Sequence, residues 1–184
     1  MITIITPCCR QANIPLIYKS ILFDKIDKWI IVYDTSKDRK YNKLYDHPKI
    51  LEVECNLVGR AGHPQRNFGM SLVDDGFIYF LDDDNIIHPN FWKIEITPDK
   101  FYTFDQLRNK NEILKGNNIK LYCIDTAMFM VHKKHICNIK WLEYKYNADG
   151  YFICDIFYKN PDSHVYIDSV CSYYNYLSEN NISI

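Results

Sequence analysis

Glycine and proline are scarce in this chain, at 6 and 7 of 184 residues. That leaves no stretch suited to a long flexible linker. The length suits a single domain over residues 1–184, large enough to bury a sizeable core. No block of Lys and Arg stands out, and the formal net charge is −1. A sequence-independent nucleic-acid binder needs a basic, phosphate-facing surface, so no nucleic-acid partner is expected. No apolar run is long enough to span a bilayer, so no transmembrane segment is expected. The opening Met1-Ile2-Thr3-Ile4-Ile5-Thr6 lacks the basic n-region and long h-region of a signal peptide. The seven cysteines are scattered and contain no C-x-x-C pair. An odd number without a framework suits reduced thiols, and so a cytoplasmic protein. Each thiol reads most simply as a small buried hydrophobe. Internal repeats and low-complexity tracts are also missing.

What is present centres on Phe77-Ile78-Tyr79-Phe80-Leu81-Asp82-Asp83-Asp84-Asn85. Five apolar residues in a row read as a short buried strand, and three carboxylates follow where it would end. In an open α/β sheet, ligands bind in the crevice at the carboxyl ends of the strands. Three adjacent carboxylates repel unless a cation or solvent neutralises them, and Mg²⁺ and Mn²⁺ favour such oxygen ligands. Successive side chains of an extended segment alternate, so Asp82 and Asp84 are expected on one face, with Asp83 turned away to a structural or solvent-facing role. The alternative is a solvated acidic turn after a core strand.

Along the chain, Ile2 to Ile5 reads as a strand ended by Thr6-Pro7, and Asn13 to Phe23 has helical spacing. Trp29 to Tyr33 and Ile50 to Val53 are further strands, separated by a polar loop over Ser36 to Pro48. Pro64 to Val73 reads as a helix with Pro in its first turn. This alternation predicts an α/β fold with a mostly parallel central sheet and helices on both faces. Beyond the acidic turn, strands are expected at Phe91 to Ile96, Lys100 to Phe104, Val165 to Ile167 and Val170 to Tyr176. Lys133 to Cys137 reads as a short helix or turn. Ile153, Ile156 and Phe157 mark Ala148 to Tyr158 as helical.

Taken together, these pieces resemble the glycosyltransferases of the GT-A (Rossmann-like) fold, above all the small family-two-like ones. Ile4-Ile5-Thr6-Pro7 with Arg10 looks like their first strand and nucleotide loop. Ile31-Val32-Tyr33-Asp34-Thr35-Ser36 looks like the second strand and its acidic turn, with Tyr33 and Thr35 where an acid and a glycine are common. Gln65-Arg66-Asn67 resembles the arginine-asparagine helix start, and Asp82-Asp83-Asp84 the D-x-D. Asn147-Ala148-Asp149-Gly150 resembles the Glu-Asp segment, with Ala148 replacing the Glu.

The resemblance implies a metal-dependent, inverting glycosyltransferase of the hexosyltransferase kind. It implies a nucleotide-sugar donor, UDP-linked, a glycan or other hydroxyl acceptor, and Mn²⁺ or Mg²⁺. Thr6, Pro7, Arg10, Asp34, Arg66 and Asp82 are then nucleotide-binding. Asp84 is the direct metal ligand, Asp82 holds the ribose or a metal-bound water, and His164, just before a late strand, is a possible third ligand. Arg66 can fork onto a phosphate or ribose. Asp149 and Asp155, six residues apart, do not share a helix face, so at most one is expected to face the donor, and the resemblance favours Asp149 as general base. Asp125 interrupts an apolar run as either an acceptor contact or a turn residue. The missing acid at Ala148 keeps a non-catalytic nucleotide-sugar or carbohydrate-binding protein as the alternative. An aspartyl phosphatase is disfavoured, since its D-x-D comes early and precedes Thr or Val. A sugar-nucleotide pyrophosphorylase would need a glycine-rich basic loop after the first strand, and Thr6-Pro7-Cys8-Cys9-Arg10 is not one.

Overall fold

The computed structural model describes residues 1–108 and 112–179. Its elements in order are β1 (Ile2–Cys8), α1 (Ile14–Tyr18), β2 (Lys28–Asp34), β3 (Ile50–Cys55), α2 (His63–Ser71), β4 (Phe77–Phe80) and β5 (Ile86–Ile87). There follow β6 (Phe101–Leu107), β7 (Ile113–Leu114), β8 (Phe129–His132), α3 (Lys133–Ile136), α4 (Ala148–Lys159), β9 (His164–Tyr173) and α5 (Tyr176–Glu179). One sheet takes the order β3-β2-β1-β4-β8-β6-β9-β5, with β7 beside β6. β1 to β4 pair in parallel. β8 runs antiparallel between β4 and β6, and β9 runs parallel to β6.

The strands are apolar without a break because both faces are covered. Trp29, Ile31 and Tyr33 of β2 pack into one core with α1, and Ile30 and Val32 pack into the other with α2 and α4. β4 does the same, sending Phe77 and Tyr79 one way and Ile78 and Phe80 the other. Helices therefore lie on both faces, as expected. A Cβ on Gly69 would stand 2.6 Å from Ile5 Cγ2, so glycine lets α2 lie flat on β1 and β2. Among the described residues, no helix is long and apolar enough to cross a membrane.

Four expectations need correction. β1 does not stop at Thr6-Pro7 but runs to Cys8. Pro7 is tolerated because β4 has already ended at that level; the β1–β4 ladder stops at Ile5 and Phe80. The segment from Asn13 yields only the short α1. Phe91 to Ile96 is not a strand; Pro89–Lys93 forms a 3₁₀ turn that buries Phe91 against Tyr79 and Phe104. The two closing strands are one, β9, with register shifts where it passes Phe104 to Gln106.

The topology collects one edge of the sheet. β1, β2 and β4 end there, antiparallel β8 starts there with Phe129, and β6 and β9 also end there.

Candidate active site

A cleft of about 560 Å³ opens along this edge. Its walls carry Pro7, Cys9 and Arg10 from the end of β1, Asp34 from β2, and Gly62 and Arg66 from the start of α2. Asp82, Asp83 and Asp84 follow β4, Asp149 opens α4, and Tyr174 and Asn175 follow β9.

Asp34 is braced rather than free. Its Oδ1 accepts from Ser36 N at 3.0 Å, from Ser36 Oγ at 2.5 Å and from Gln65 Nε2 at 3.3 Å. Gln65 thus links the first turn of α2 to the end of β2. Gly62 precedes α2 with φ +75, and a Cβ there would meet Pro7 Cβ at 2.7 Å, so this turn needs glycine on two counts.

The acidic residues do not continue the strand. Asn85 N donates to the Asp82 carbonyl at 3.0 Å, closing a turn, so the expected alternation does not extend past Leu81. The three acids share two cations, Arg66 for Asp82 and Arg10 for both Asp83 and Asp84. Asp82 pairs with Nη2 of Arg66. Asp84 Oδ2 lies 2.7 Å from Nη2 of Arg10. Asp83 is only 2 % exposed and accepts from Cys9 N at 2.6 Å, Arg10 N at 2.7 Å, and Arg10 Nε and Nη2 at 2.9 and 2.6 Å. Asp83 is therefore structural and not solvent-facing. The sequence around it gives no sign of partners 73 and 74 residues away.

Arg66 is 2 % exposed. Besides Asp82, its Nη1 donates to the Ala61 carbonyl at 2.6 Å and to His63 Nδ1 at 3.0 Å, and its guanidinium lies over Trp141 at 4.7 Å. Its fork therefore holds Asp82 in place instead of standing open to a phosphate. With Nδ1 accepting, His63 is the tautomer whose Nε2–H donates to the Lys145 carbonyl at 3.0 Å. Burial, then the neighbouring Arg66 charge, pushes His63 down to about 4.

That value predicts a pH signature. The unfolded chain takes up a proton near pH 6.5 that folded His63 refuses until about pH 4. The contribution is whole above pH 6.5 and is lost as pH falls towards 4, about 3 kcal/mol in all. Buried acids with raised values, Asp84 and Asp125, act in the opposite sense, so the difference against His63→Gln isolates the term. Urea unfolding at pH 7 and pH 5 should show the gap between the two proteins change by about 2 kcal/mol. A constant gap would refute a neutral, buried imidazole.

Among protein-family models nothing matches this sequence, and no curated protein matches it. Solved structures do. S. aureus TarS 1–349 superposes with a TM-score of 0.70 at 13% identity, over 94% of this chain and 59% of that one. Its complex with UDP-GlcNAc gives 0.68 at 12% identity, over 99% of this chain and 62% of that one. Glucosyl-3-phosphoglycerate synthase from Mycobacterium tuberculosis, with Mn²⁺, UDP and glucosyl-3-phosphoglycerate, gives 0.63 at 12% identity, over 94% and 71%. This is a GT-A-like glycosyltransferase fold. The chain spans about three fifths of the length of TarS 1–349.

On this GT-A frame, Pro7, Arg10, Asp34, Arg66, Asp82, Asp84 and Asp149 line one cleft. Two expected residues are not brought to it. Thr6 is fully buried and accepts from Trp29 Nε1 at 2.9 Å, a core contact between β1 and β2. His164 begins β9, whereas the cleft lies beyond the strand's other end at Tyr174, roughly 30 Å of strand away. Its Nε2 meets Thr103 Oγ1 at 2.8 Å, between Phe101 and Phe157. Asp155 is exposed on α4 and outside the cleft. Asp125 does line the cleft, caps the turn at Thr126–Met128, and is pushed up to about 7 by burial and then by Asp82 and Asp149. Arg108 lies 4.0 Å from it and stacks over Tyr174, a pairing with no sequence signal.

Asp149 sits in the first turn of α4, with Oδ1 accepting from Gly150 N at 2.7 Å. Burial is the largest cause holding its carboxyl above the ordinary range, and Asp82 adds to it. The space beside Gly150 is filled by Leu121 Cα, 3.2 Å from where a Cβ would be.

Among the described residues, no group of three or more His, Cys, Asp or Glu is placed to hold a metal alone. Mg²⁺-like ions are commonly held by one or two carboxylates together with substrate phosphates and water. Asp84 fits that mode. Burial, then Asp82, raises its carboxyl to about 6 despite Arg10 beside it.

Proposed function

We propose that this chain transfers a sugar from a UDP-linked donor to a hydroxyl of a glycan or similar acceptor, with inversion. The observation that carries this reading is the meeting of Asp34, the acidic turn and Asp149 in one cleft of a GT-A-like fold. Likeness to structures crystallised with UDP and UDP-GlcNAc supports the donor.

Asp34, braced by Ser36 and Gln65, accepts a hydrogen bond from the nucleobase. Asp82, held by Arg66, takes the ribose hydroxyls. Arg10, half-exposed in the cleft, adds positive charge near the diphosphate. Mn²⁺ or Mg²⁺ held by Asp84 would supply Lewis-acid stabilisation of the departing diphosphate. Asp149 takes the proton of the acceptor hydroxyl as its oxygen attacks the anomeric carbon from the face opposite the diphosphate.

Calorimetry with Mn²⁺ should detect UDP binding, and a chelator or Asp84→Ala should weaken it by at least about tenfold. Equal affinity with and without metal would remove the metal role. No UDP binding under any condition would end the glycosyltransferase reading. Binding without transfer or donor hydrolysis would favour a nucleotide-sugar-binding protein.

A further inference from the structure

The rim of the cleft carries an aromatic surface that none of the roles above uses. Tyr122 is 79 % exposed, Tyr146 74 % and Tyr144 72 %, with Leu142 at 43 %. Large apolar groups gathered at one exposed place mark an interaction site. Tyr122 and Tyr146 line the cleft itself, and Tyr144 and Leu142 are exposed on the segment that leads to Tyr146.

Their position relative to Asp149 is fixed from two sides. Tyr146 stands three residues before Asp149, just ahead of α4. Tyr122 follows Leu121, whose backbone is in close approach to Gly150. Tyr122 also holds φ +68, a left-handed conformation that a bulky residue adopts only where its surroundings impose it. Arg60 lies over the Tyr146 ring at 4.9 Å, and Arg60 N donates to the Glu143 carbonyl at 2.7 Å, so the loop is tied to the segment before α2.

We infer that Tyr122 and Tyr146, continued by Tyr144, form the acceptor platform, and that the acceptor is an oligosaccharide or polysaccharide longer than one sugar ring. This rests on the transfer proposed above. Tyr122 and Tyr146 line the same cleft as Asp149, so an acceptor whose hydroxyl reaches Asp149 can lie against them. Tyrosine offers an apolar face for the C–H side of a pyranose and a polar tip for its hydroxyls. A short charged acid would leave Tyr144 and Leu142 uncovered. A bilayer surface has no need for the carboxylates Asp125 and Asp149 that line the cleft beside Tyr122 and Tyr146, and it is one outcome of the test.

The test measures UDP release from UDP-glucose and UDP-GlcNAc with water alone and with added acceptors. The acceptors are malto-, cello- and chito-oligosaccharides of one to six rings, 3-phosphoglycerate and a serine-rich peptide. Release should be stimulated by one oligosaccharide series, with KM falling as the chain lengthens past one ring. Tyr122→Ala and Tyr146→Ala should each raise that acceptor KM by about tenfold while UDP affinity is unchanged. Both side chains are exposed, so folding should survive, and a thermal melt verifies it. Stimulation by phosphoglycerate or peptide, or by no acceptor while water hydrolysis proceeds, overturns the platform and leaves the transferase reading standing. Acceptor KM unchanged in both variants, or tyrosine-dependent binding to phosphatidylcholine–phosphatidylglycerol vesicles, overturns it as well. Absence of both UDP binding and release removes the transferase reading and the platform together.

Discussion

Asp149→Asn should lower turnover by roughly 10²–10⁴-fold while UDP affinity holds. Asparagine keeps the size and polarity of the side chain, and its Oδ1 can still accept from Gly150 N, so the first turn of α4 should survive. What is lost is a group that accepts a proton. Wild-type turnover should also fall on the acid side, because only the ionised carboxylate works as a base. Burial holds this carboxyl above the ordinary range, so that limb should lie at higher pH than for an exposed aspartate. Asp155→Asn, on the exposed side of the same helix, serves as the comparison. Turnover that survives in Asp149→Asn, or is lost in Asp155→Asn instead, would move the base elsewhere.

Asp83→Ala should be the most destabilising single change at the acidic turn, by about 3–5 kcal/mol. The substitution strands two backbone N–H groups, of Cys9 and Arg10, and frees the Arg10 side chain from its fork. For a chain of this size that is a fall in melting temperature of roughly 6–20 °C. Asp84→Ala, one residue on, breaks an ion pair to Arg10 but leaves the Asp83 bonds to Cys9 N and Arg10 N in place, so its melting temperature should fall less. Equal melts for the two variants would mean that Asp83 does not anchor the loop after β1.

The sheet and the cleft were legible for physical reasons. Buried strands write themselves as unbroken apolar runs, and Phe77 to Leu81 ends in charge because the chain reaches an edge there. Pro7, Arg10, Asp34, Arg66, Asp82, Asp84 and Asp149 were all placeable from that pattern together with the resemblance. His164 failed because a position just before a strand does not say at which end of the sheet that strand starts. β9 is parallel to β6, a direction set by the crossover through α4 and absent from local sequence. Of the two roles open to Asp83, structural or solvent-facing, the structure has the first, but its partners after β1 were not legible because they lie far away in sequence. Arg108 and Tyr122 carry no local signal, since their neighbours come from 125, 150 and 174.

The place of β9 bears on how the protein is made. It is the last of the described strands yet an interior strand of the sheet, between β6 and β5. Beyond it, Asn175 N donates to Asn85 Oδ1 at 2.7 Å and Leu177 N to the Asp84 carbonyl at 2.9 Å. On a ribosome, β1 to β4 can pair as soon as they emerge. β5 and the acidic turn wait until β9 and the residues after it follow, roughly 4–15 s from Ile87 to His164 at ordinary translation speed. During that interval one flank of β6 is bare, the kind of edge that recruits strands from other chains. Slow codons upstream of β9 should therefore lower the soluble yield more than slow codons placed after Leu177.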